Sequence, residues 1–211
     1  MTTHEALDLS LPIKPGMLRF PGDPDPVMKT TSASFGENHI TMTELMIGTH
    51  LGTHVDAPGH FVKGGRTLDK IPHHVFIGQV NVIDLSHVQD VIRRSDLEAI
   101  SVPRRAKVFI KTKNSDFIKS TEYKSDHVFL DPTAAQYLVD QQIQLLGFDY
   151  YNIDSSEGDA LDSHLILARA DTPVIVAINM EPVEPGQYWF SATPPPYVGV
   201  EAGPVRVLVW T

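Results

Sequence analysis

Residues 50–60 read His-Leu-Gly-Thr-His-Val-Asp-Ala-Pro-Gly-His, and this segment constrains the fold more than any other part of the chain. Glycine, proline and β-branched residues separate its polar members, a composition that destabilises a helix interior. In an extended chain, side chains two positions apart share a face. The segment is therefore predicted to be extended or bulged, with four even-numbered polar side chains directed inward: His50, His54, Asp56 and His60.

The residue types in this segment suit a divalent metal ion. Neutral imidazole and carboxylate together favour Zn(II), Mn(II) or Fe(II), and two histidines with one aspartate leave coordination positions open, as in catalytic sites. A bound ion lowers the pKa of its water to about 7, so we expect metal-bound hydroxide to act as the nucleophile. His60, with an ordinary pKa near neutrality, is the candidate acid/base. The alternative is a surface histidine-rich loop, or core histidines bonded to the backbone.

The same segment resembles a known signature. Gly-Thr-His50-Leu-Gly-Thr-His54-Val-Asp56-Ala-Pro-Gly-His60 is similar to the H-x-G-T-H-x-D-x-P-x-H motif of the cyclase family, which includes bacterial kynurenine formamidases and isatin hydrolases. Weaker similarities extend over most of the chain, at residues 20–24, 149–154, 163–167, 183–188 and 203–209. The resemblance implies that His50, His54 and Asp56 are metal ligands and that His60 is the acid/base.

The resemblance also bears on a second metal. In dinuclear formamidases a second ion is held by the aspartate, by a histidine matched here by His164, and by a glutamate. This chain has Val176 at the glutamate position, and its next carboxylates are Glu181 and Glu184. His164 is therefore expected to contact either a second metal or the substrate. One Zn(II) or Mn(II) per chain is expected rather than two.

Three further positions concern the substrate and the surroundings of the ligands. Phe20 stands where formamidases commonly carry tryptophan, so the substrate need not be N-formylkynurenine. Phe20 is the candidate for substrate contact, and the alternative is an ordinary packing aromatic. Asp149 and Asp154 are expected either to cap turns or to hydrogen-bond the metal ligands.

Composition indicates an ordinary globular enzyme. The chain has 211 residues, 42% hydrophobic and 20% charged, which suits a single domain over residues 1–211. Its net charge of −9 disfavours nucleic acid and anionic membranes as partners. The absence of cysteine excludes thiolate ligands and cysteine nucleophiles, and with a polar N-terminal start it favours a cytoplasmic protein.

Secondary-structure signals indicate an α/β fold with mostly β layers. Residues 1–30 form a proline-rich arm that is predicted to cross a site or a neighbouring subunit. Helices are predicted after Ser95, from Asp131 to about Gln142, and around His164. Strands are predicted at 40–47, leading into the histidine segment, and at 75–85, 106–112, 144–148, 173–179, 188–192 and 205–210. The resemblance implies a swivelling β/β/α architecture and a homo-oligomer, a dimer or tetramer.

Three functions remain open on the sequence. The leading one is a metal-dependent hydrolase that cleaves a C–N amide bond in a small-molecule aryl formamide, cyclic imide or lactam. The second is a non-catalytic, metal-stabilised binding protein. This function stays open because Val176 stands in place of the glutamate of the second metal site. The third is a non-haem iron oxygenase with two histidines and one carboxylate, although such sites draw their second histidine from a distant strand.

Overall fold

The computed structural model describes residues 5–158 and 161–211, which form a mixed α/β fold around one large sheet. Four helices lie at α1 Arg94–Ile100, α2 Asn114–Phe117, α3 Pro132–Asp140 and α4 Asp162–Arg169. The strands are β1 Leu7–Asp8, β2 Val27–Phe35, β3 Asn38–Met46, β4 His54–Asp56, β5 Ile77–Asp84, β6 Val91–Ile92, β7 Lys107–Lys111, β8 Phe129–Leu130, β9 Leu145–Phe148, β10 Val174–Val176, β11 Gly186–Ser191, β12 Ala202–Pro204 and β13 Leu208–Trp210.

Nine strands make the large sheet, in the order β1-β13-β11-β5-β7-β9-β10-β4-β12. The central strands β5, β7, β9 and β10 run parallel, and the flanking strands pair antiparallel. Leu9 donates its backbone N–H to Val207 and accepts the N–H of Asn179, which follows β10. Val207 precedes β13 and Asn179 follows β10, and these two strands are far apart in the strand order. Because Leu9 hydrogen-bonds to both segments, the sheet must curl to bring them together.

The central strands are buried on both faces, which explains their continuous apolar sequences. Val108 and Ile110 belong to a hydrophobic cluster that includes Leu97, Leu138 and Leu167 of three helices. Phe109, between them, belongs to a second cluster on the other face of the sheet. Gly147 lies opposite Phe109, and a Cβ there would stand 2.2 Å from the phenylalanine ring. Only glycine therefore leaves room for that ring.

Six predicted strands are confirmed within the sheet, at 75–85, 106–112, 144–148, 173–179, 188–192 and 205–210. The strand predicted at 40–47 is also present, but it belongs to a separate hairpin of β2 and β3 and does not continue into the histidine segment. All residues of this hairpin are exposed in the single chain.

The predicted helices form, with one change of start. The Asp131 carboxylate accepts the backbone N–H of Ala134 and caps α3, as expected. The N-cap of α1 is Arg93 rather than Ser95, because the Asp96 carboxylate accepts the Arg93 N–H at 2.7 Å and begins the helix earlier. Within the part of the chain that the structure describes, no helix has the length and apolar character to cross a membrane.

The proline-rich segment is anchored at both ends. Leu7–Asp8 pairs with β13 at the sheet edge, and residues from Val27 onward belong to the hairpin. The loop between them contributes Leu9, Met17 and Leu18 to the protein interior. The predicted arm thus crosses the chain's own surface between residues 9 and 26, whereas residues 1–4 lie outside the described part.

Asp149, directly after β9, is fully buried. Its carboxylate accepts hydrogen bonds from the backbone N–H and hydroxyl groups of Thr112 and Ser115, at 2.7–3.2 Å. It therefore caps the turn that leads from β7 into α2, one of the two roles expected for it. Burial raises the pKa of Asp149 to about 6 despite these four donors, which are all uncharged.

Asp149 should make folding stability fall as pH rises through the mildly acidic range. An unfolded aspartate ionises near pH 3.9. Between about pH 4 and 6 the folded state therefore binds more protons than the unfolded state, and the free energy of unfolding falls as the pH rises. Relative to Asp149→Asn, the wild-type free energy of unfolding should drop by up to about 3 kcal/mol between pH 4 and 6, at about 1.4 kcal/mol per pKa unit. Urea unfolding at several pH values measures this difference, and a constant offset would contradict it.

Candidate metal centre and its cavity

Strand β4 places two of the predicted ligands in the sheet. It is paired on one side with β10 and on the other with β12. Because side chains alternate along a strand, His54 and Asp56 share one face while Val55 enters the apolar cluster on the other. Both polar side chains are buried, with 3% and 5% of their surface exposed.

The rest of the segment is not extended. A turn covers 49–53, and a short 3-10 helix covers Pro58–His60. The single extended or bulged segment predicted over 50–60 is therefore wrong outside 54–56. Gly52, with φ +64°, reverses the chain before the strand, and Pro58 begins the 3-10 helix after it. The four polar side chains still meet, because these two turns bring His50 and His60 back beside Asp56.

The two histidines nearest Asp56 have different hydrogen-bond partners on their other ring nitrogen. The Nδ1 of His54 lies 2.8 Å from the carbonyl oxygen of Gly52 and must donate to it, which leaves Nε2 as an acceptor. That Nε2 is 3.4 Å from Asp56 Oδ1. The Nδ1 of His50 is 2.9 Å from the same oxygen, and its Nε2 lies 3.2 Å from Glu201 Oε1. Two nitrogens and one oxygen thus converge on one point.

Asp56 Oδ1 is buried and no donor reaches it in hydrogen-bond geometry. A buried carboxylate oxygen without a donor needs another partner, and a divalent cation between this oxygen and the two nitrogens would supply one. Burial raises the pKa of Asp56, but the His54 and His50 imidazoles outweigh it and hold the pKa well below its usual range. The residues therefore fit a metal ion that takes nitrogen and oxygen ligands.

His60 lies beside this point. One donor atom each of His50, Asp56 and His60 lie within 4.8 Å of one another, and the His60 and His50 ring centroids are 4.3 Å apart. Desolvation lowers the pKa of His60, so its imidazole is mostly neutral at pH 7. A neutral imidazole at this distance can accept a proton near the metal or serve as a further ligand.

His164, on α4, reaches the same cavity from the helical side. Its Nδ1 lies 2.6 Å from Asp154 Oδ2, and its ring stacks on Phe61 at 4.3 Å. The backbone N–H groups of Ser163 and His164 also donate to the Asp154 carboxylate. Asp154 therefore caps the first turn of α4, one of the two roles expected for it, and also orients the His164 ring.

The carboxylate of a second metal site is not found where the resemblance would place it. Val176 is buried on β10 directly opposite His54. Glu181 and Glu184 are exposed, and neither lines the cavity. Among the described residues, one set of three potential ligand groups lies within 4.8 Å of one another, at His50, Asp56 and His60, and His54 is outside this set.

A cavity of about 420 Å³ opens above the convergent ligands. Its remaining walls are largely aromatic and apolar, and no lysine or arginine is among the described lining residues: Phe20, Pro21, Asp23, Phe61, Tyr151, Asn152 and Leu161. Phe20 is 42% exposed and packs edge-on against Tyr123 at 5.4 Å. The Tyr151 hydroxyl donates to the Leu18 carbonyl at 2.7 Å and so ties the N-terminal loop to the site.

Sequence reasoning missed three residues of this site: Phe61, Tyr151 and Glu201. Phe61 directly follows His60, and Tyr151 lies within a stretch already noted, so both had a local signal. Glu201 is more than 140 residues from His50 in the chain and has no motif of its own. Only the pairing of β12 with β4 brings it to the ligands.

The Gly52 turn should be required both for stability and for metal binding. Gly52→Ala places a side chain at φ +64°, with its Cβ 3.2 Å from Met17 Cε, and should cost about 1–2 kcal/mol of folding free energy. It should also weaken Zn(II) binding, because the Gly52 carbonyl orients His54. Gly36→Ala, at φ +62° in open space, is the control: comparable backbone strain with unchanged Zn(II) affinity. Denaturant unfolding and zinc titration measure the two effects, and equal affinities in both variants would count against this role for the turn.

Comparison with known proteins places the chain among metal-dependent hydrolases. The family model Cyclase, described as putative cyclase, matches residues 7–155. The kynurenine formamidase of Geobacillus thermodenitrificans is 27% identical over 202 residues, which are 96% of this chain and 92% of that protein.

Solved structures give the same result. A protein from Bacillus stearothermophilus described as a predicted metal-dependent hydrolase is 31% identical, with a TM-score of 0.83 over 99% of this chain and 98% of its own. Isatin hydrolase A from Ralstonia solanacearum shares the fold, with a TM-score of 0.80 at 21% identity over 97% of this chain and 91% of its own.

Proposed function

The chain belongs to the cyclase family, and on that premise we propose that it is a metal-dependent hydrolase of a C–N amide bond in an aryl formamide, cyclic imide or lactam. The observation that carries the proposal is the convergence of two imidazole nitrogens and a donor-less carboxylate oxygen beneath an aromatic cavity. Relatives named as a formamidase and as a hydrolase of isatin, a lactam, point to the same class of bond.

The proposed cofactor is one Zn(II) or Mn(II) per chain, held by His50, His54 and Asp56. The mixed nitrogen and oxygen donor set supports these ions over those that take oxygen alone. Val176, in place of the glutamate, supports one ion rather than two. When bound, the ion supplies an activated water and polarises the substrate carbonyl.

The protein's own groups have distinct proposed roles. A ring nitrogen of His60 takes a proton from the attacking water and passes it to the leaving amide nitrogen. The flat substrate lies between Phe20 and Phe61, and His164, fixed by Asp154, contacts its polar edge. Residues 1–211 act as one domain, with the N-terminal loop as a wall of the site.

The residue types that line the cavity also restrict the class of substrate that fits it. Its aromatic and apolar lining suits a planar ring, and Asp23 is the acidic group at its edge. With no lysine or arginine among the described lining residues, an uncharged aryl amide fits better than one that carries a carboxylate. A panel of formanilide, isatin, cyclic imides and N-formylkynurenine tests this ranking through kcat/KM.

Of the alternatives left open by the sequence, neither is favoured. The iron oxygenase would have to use ligands from a single short segment, and the family match is to hydrolases. A purely structural metal would leave the aromatic cavity without a role. Chelation that lowers Tm without affecting any amide hydrolysis would revive the binding-protein alternative. The proposed location is the cytoplasm, since a chain without cysteine suits a reducing compartment.

Substitution of the two histidines should separate metal binding from proton transfer. His60→Ala should retain one equivalent of metal and lose about 10²–10⁴-fold in kcat, because proton transfer is removed. His54→Ala should lose the metal itself. Metal analysis and steady-state kinetics measure both, with the exposed His87→Ala as control. Wild-type turnover by His60→Ala would refute the proton-transfer role.

We further infer that the protein is a homodimer, with the β2–β3 hairpin at the contact. Paired residues share a face, so one face of the hairpin carries several large apolar side chains on both sides of the Lys29–Glu44 pair. Four of them are more than half exposed in the single chain: Phe35, Ile40, Met42 and Met46. The opposite face carries mainly serine and threonine. An amphipathic two-stranded hairpin is marginal alone, and a second copy would cover its apolar face.

Charge on the apolar face of the hairpin should dissociate the dimer. Ile40→Lys should shift the sedimentation coefficient from dimer to monomer at micromolar concentration, because it would bury an unpaired ammonium. Ser34→Lys adds the same charge beside it on the polar face and should leave the dimer intact. A monomeric wild type, or equal dissociation by both variants, would argue against this contact.

A further inference from the structure

Glu201 lies immediately before β12, beside the candidate metal ligands. Its backbone carbonyl accepts the N–H of Ala57 at 2.8 Å, which fixes the residue next to β4. Its side-chain Oε1 accepts the Thr49 hydroxyl at 2.7 Å and lies 3.2 Å from His50 Nε2. The carboxylate is therefore held by a neighbouring hydroxyl and points at one histidine.

The His50 ring lies between two carboxylates. Nδ1 is 2.9 Å from Asp56 Oδ1, and Nε2 is 3.2 Å from Glu201 Oε1. A neutral imidazole carries one proton, so the nitrogen that binds a cation must be the one without it. With the proton on Nε2 and donated to Glu201, the Nδ1 lone pair faces Asp56 and the metal point.

We propose that Glu201 is a positioning residue that sets the tautomer and orientation of His50 for metal binding. A carboxylate that accepts the outer N–H of a ligating histidine also raises the basicity of the inner nitrogen. This inference rests on the proposed function only in taking His50 as a metal ligand.

A comparison of the two histidines explains why a side chain is needed at this place. His54 is buried in the sheet, and a backbone carbonyl two residues away fixes its ring. His50 precedes the sheet in a turn, and its side chain is 23% exposed. Without Glu201 its Nε2 would lose its protein partner and hydrogen-bond with water.

Glu201 acts through His50 and not as a ligand itself. Its Oε1 faces Nε2 of the ring, whereas the Nδ1 of the same ring lies 2.9 Å from Asp56 Oδ1. Thr49 occupies a further lone pair of the same oxygen. The geometry is that of a carboxylate behind a ligand.

The test is metal affinity, measured without substrate by competition with a chromogenic zinc chelator. Glu201→Ala should raise the Zn(II) Kd by about 10–100-fold. Glu201→Gln keeps an oxygen acceptor but loses the charge, so its Kd should lie between wild type and Glu201→Ala. Thr49→Val should raise the Kd by a few-fold through loss of the hydroxyl that holds Glu201. Glu184→Gln, at an exposed glutamate away from the cavity, is the matched control and should bind as wild type.

Two further measurements distinguish positioning from a general structural role. The visible absorption of the Co(II)-loaded protein should change in Glu201→Ala, because the ligand field at His50 changes, while the Tm of the metal-free Glu201→Gln protein should stay at the wild-type value. In a His50→Ala background, Glu201→Ala should produce no additional loss of affinity.

The possible results separate this inference from the proposed function. A wild type that binds one zinc and hydrolyses amides, together with wild-type Kd and Co(II) spectra in Glu201→Ala, would overturn the positioning role alone. Complete loss of metal in Glu201→Gln would overturn it as well, because that result would show that Glu201 is itself a metal ligand. A wild type that binds no divalent metal would overturn the proposed function.

Discussion

Strand β4 is hydrogen-bonded on both sides, to β10 and to β12, and the position of the candidate metal centre depends on this double pairing. A three-residue strand at an edge would fray, but between two partners it has one register. That register places His54 and Asp56 on the same face and fixes Asp56 Oδ1 in a buried position without a donor. The other candidate ligands and Glu201 are arranged around this oxygen.

Sheet, turns and N-terminal loop contribute differently to the site. The sheet supplies the two most buried groups, His54 and Asp56, whereas turns before and after β4 supply His50 and His60. Turns are less restrained than strands, and the turn residue His50 has a second anchor in Glu201. His164, on α4, is anchored by Asp154. The cavity wall comes partly from the N-terminal loop, which Tyr151 ties to the core.

Of the residues that the family resemblance assigns to a second metal, the histidine is present and the glutamate is replaced. The His164–Asp154 pair is fully formed, with three donors to the aspartate, although Val176 occupies the place of the glutamate. A histidine oriented so closely suits a contact with substrate as well as with metal. The aromatic lining and the lack of lysine and arginine among the described walls are consistent with that role.

The motif at residues 50–60 was sufficient to predict the family and to single out His50, His54, Asp56 and His60, and apolar segments elsewhere predicted the central strands, because spacing and residue type are local properties. The parity argument held only for His54 and Asp56, since Gly52 and Pro58 turn the chain on either side. The sequence also placed residues 40–47 on a strand that leads into the site, although they form a separate hairpin. Glu201, the curl of the sheet and the cavity were decided by the tertiary structure alone. Each depends on contacts between residues far apart in the chain, and their energies come from strand pairing and burial that no local pattern records.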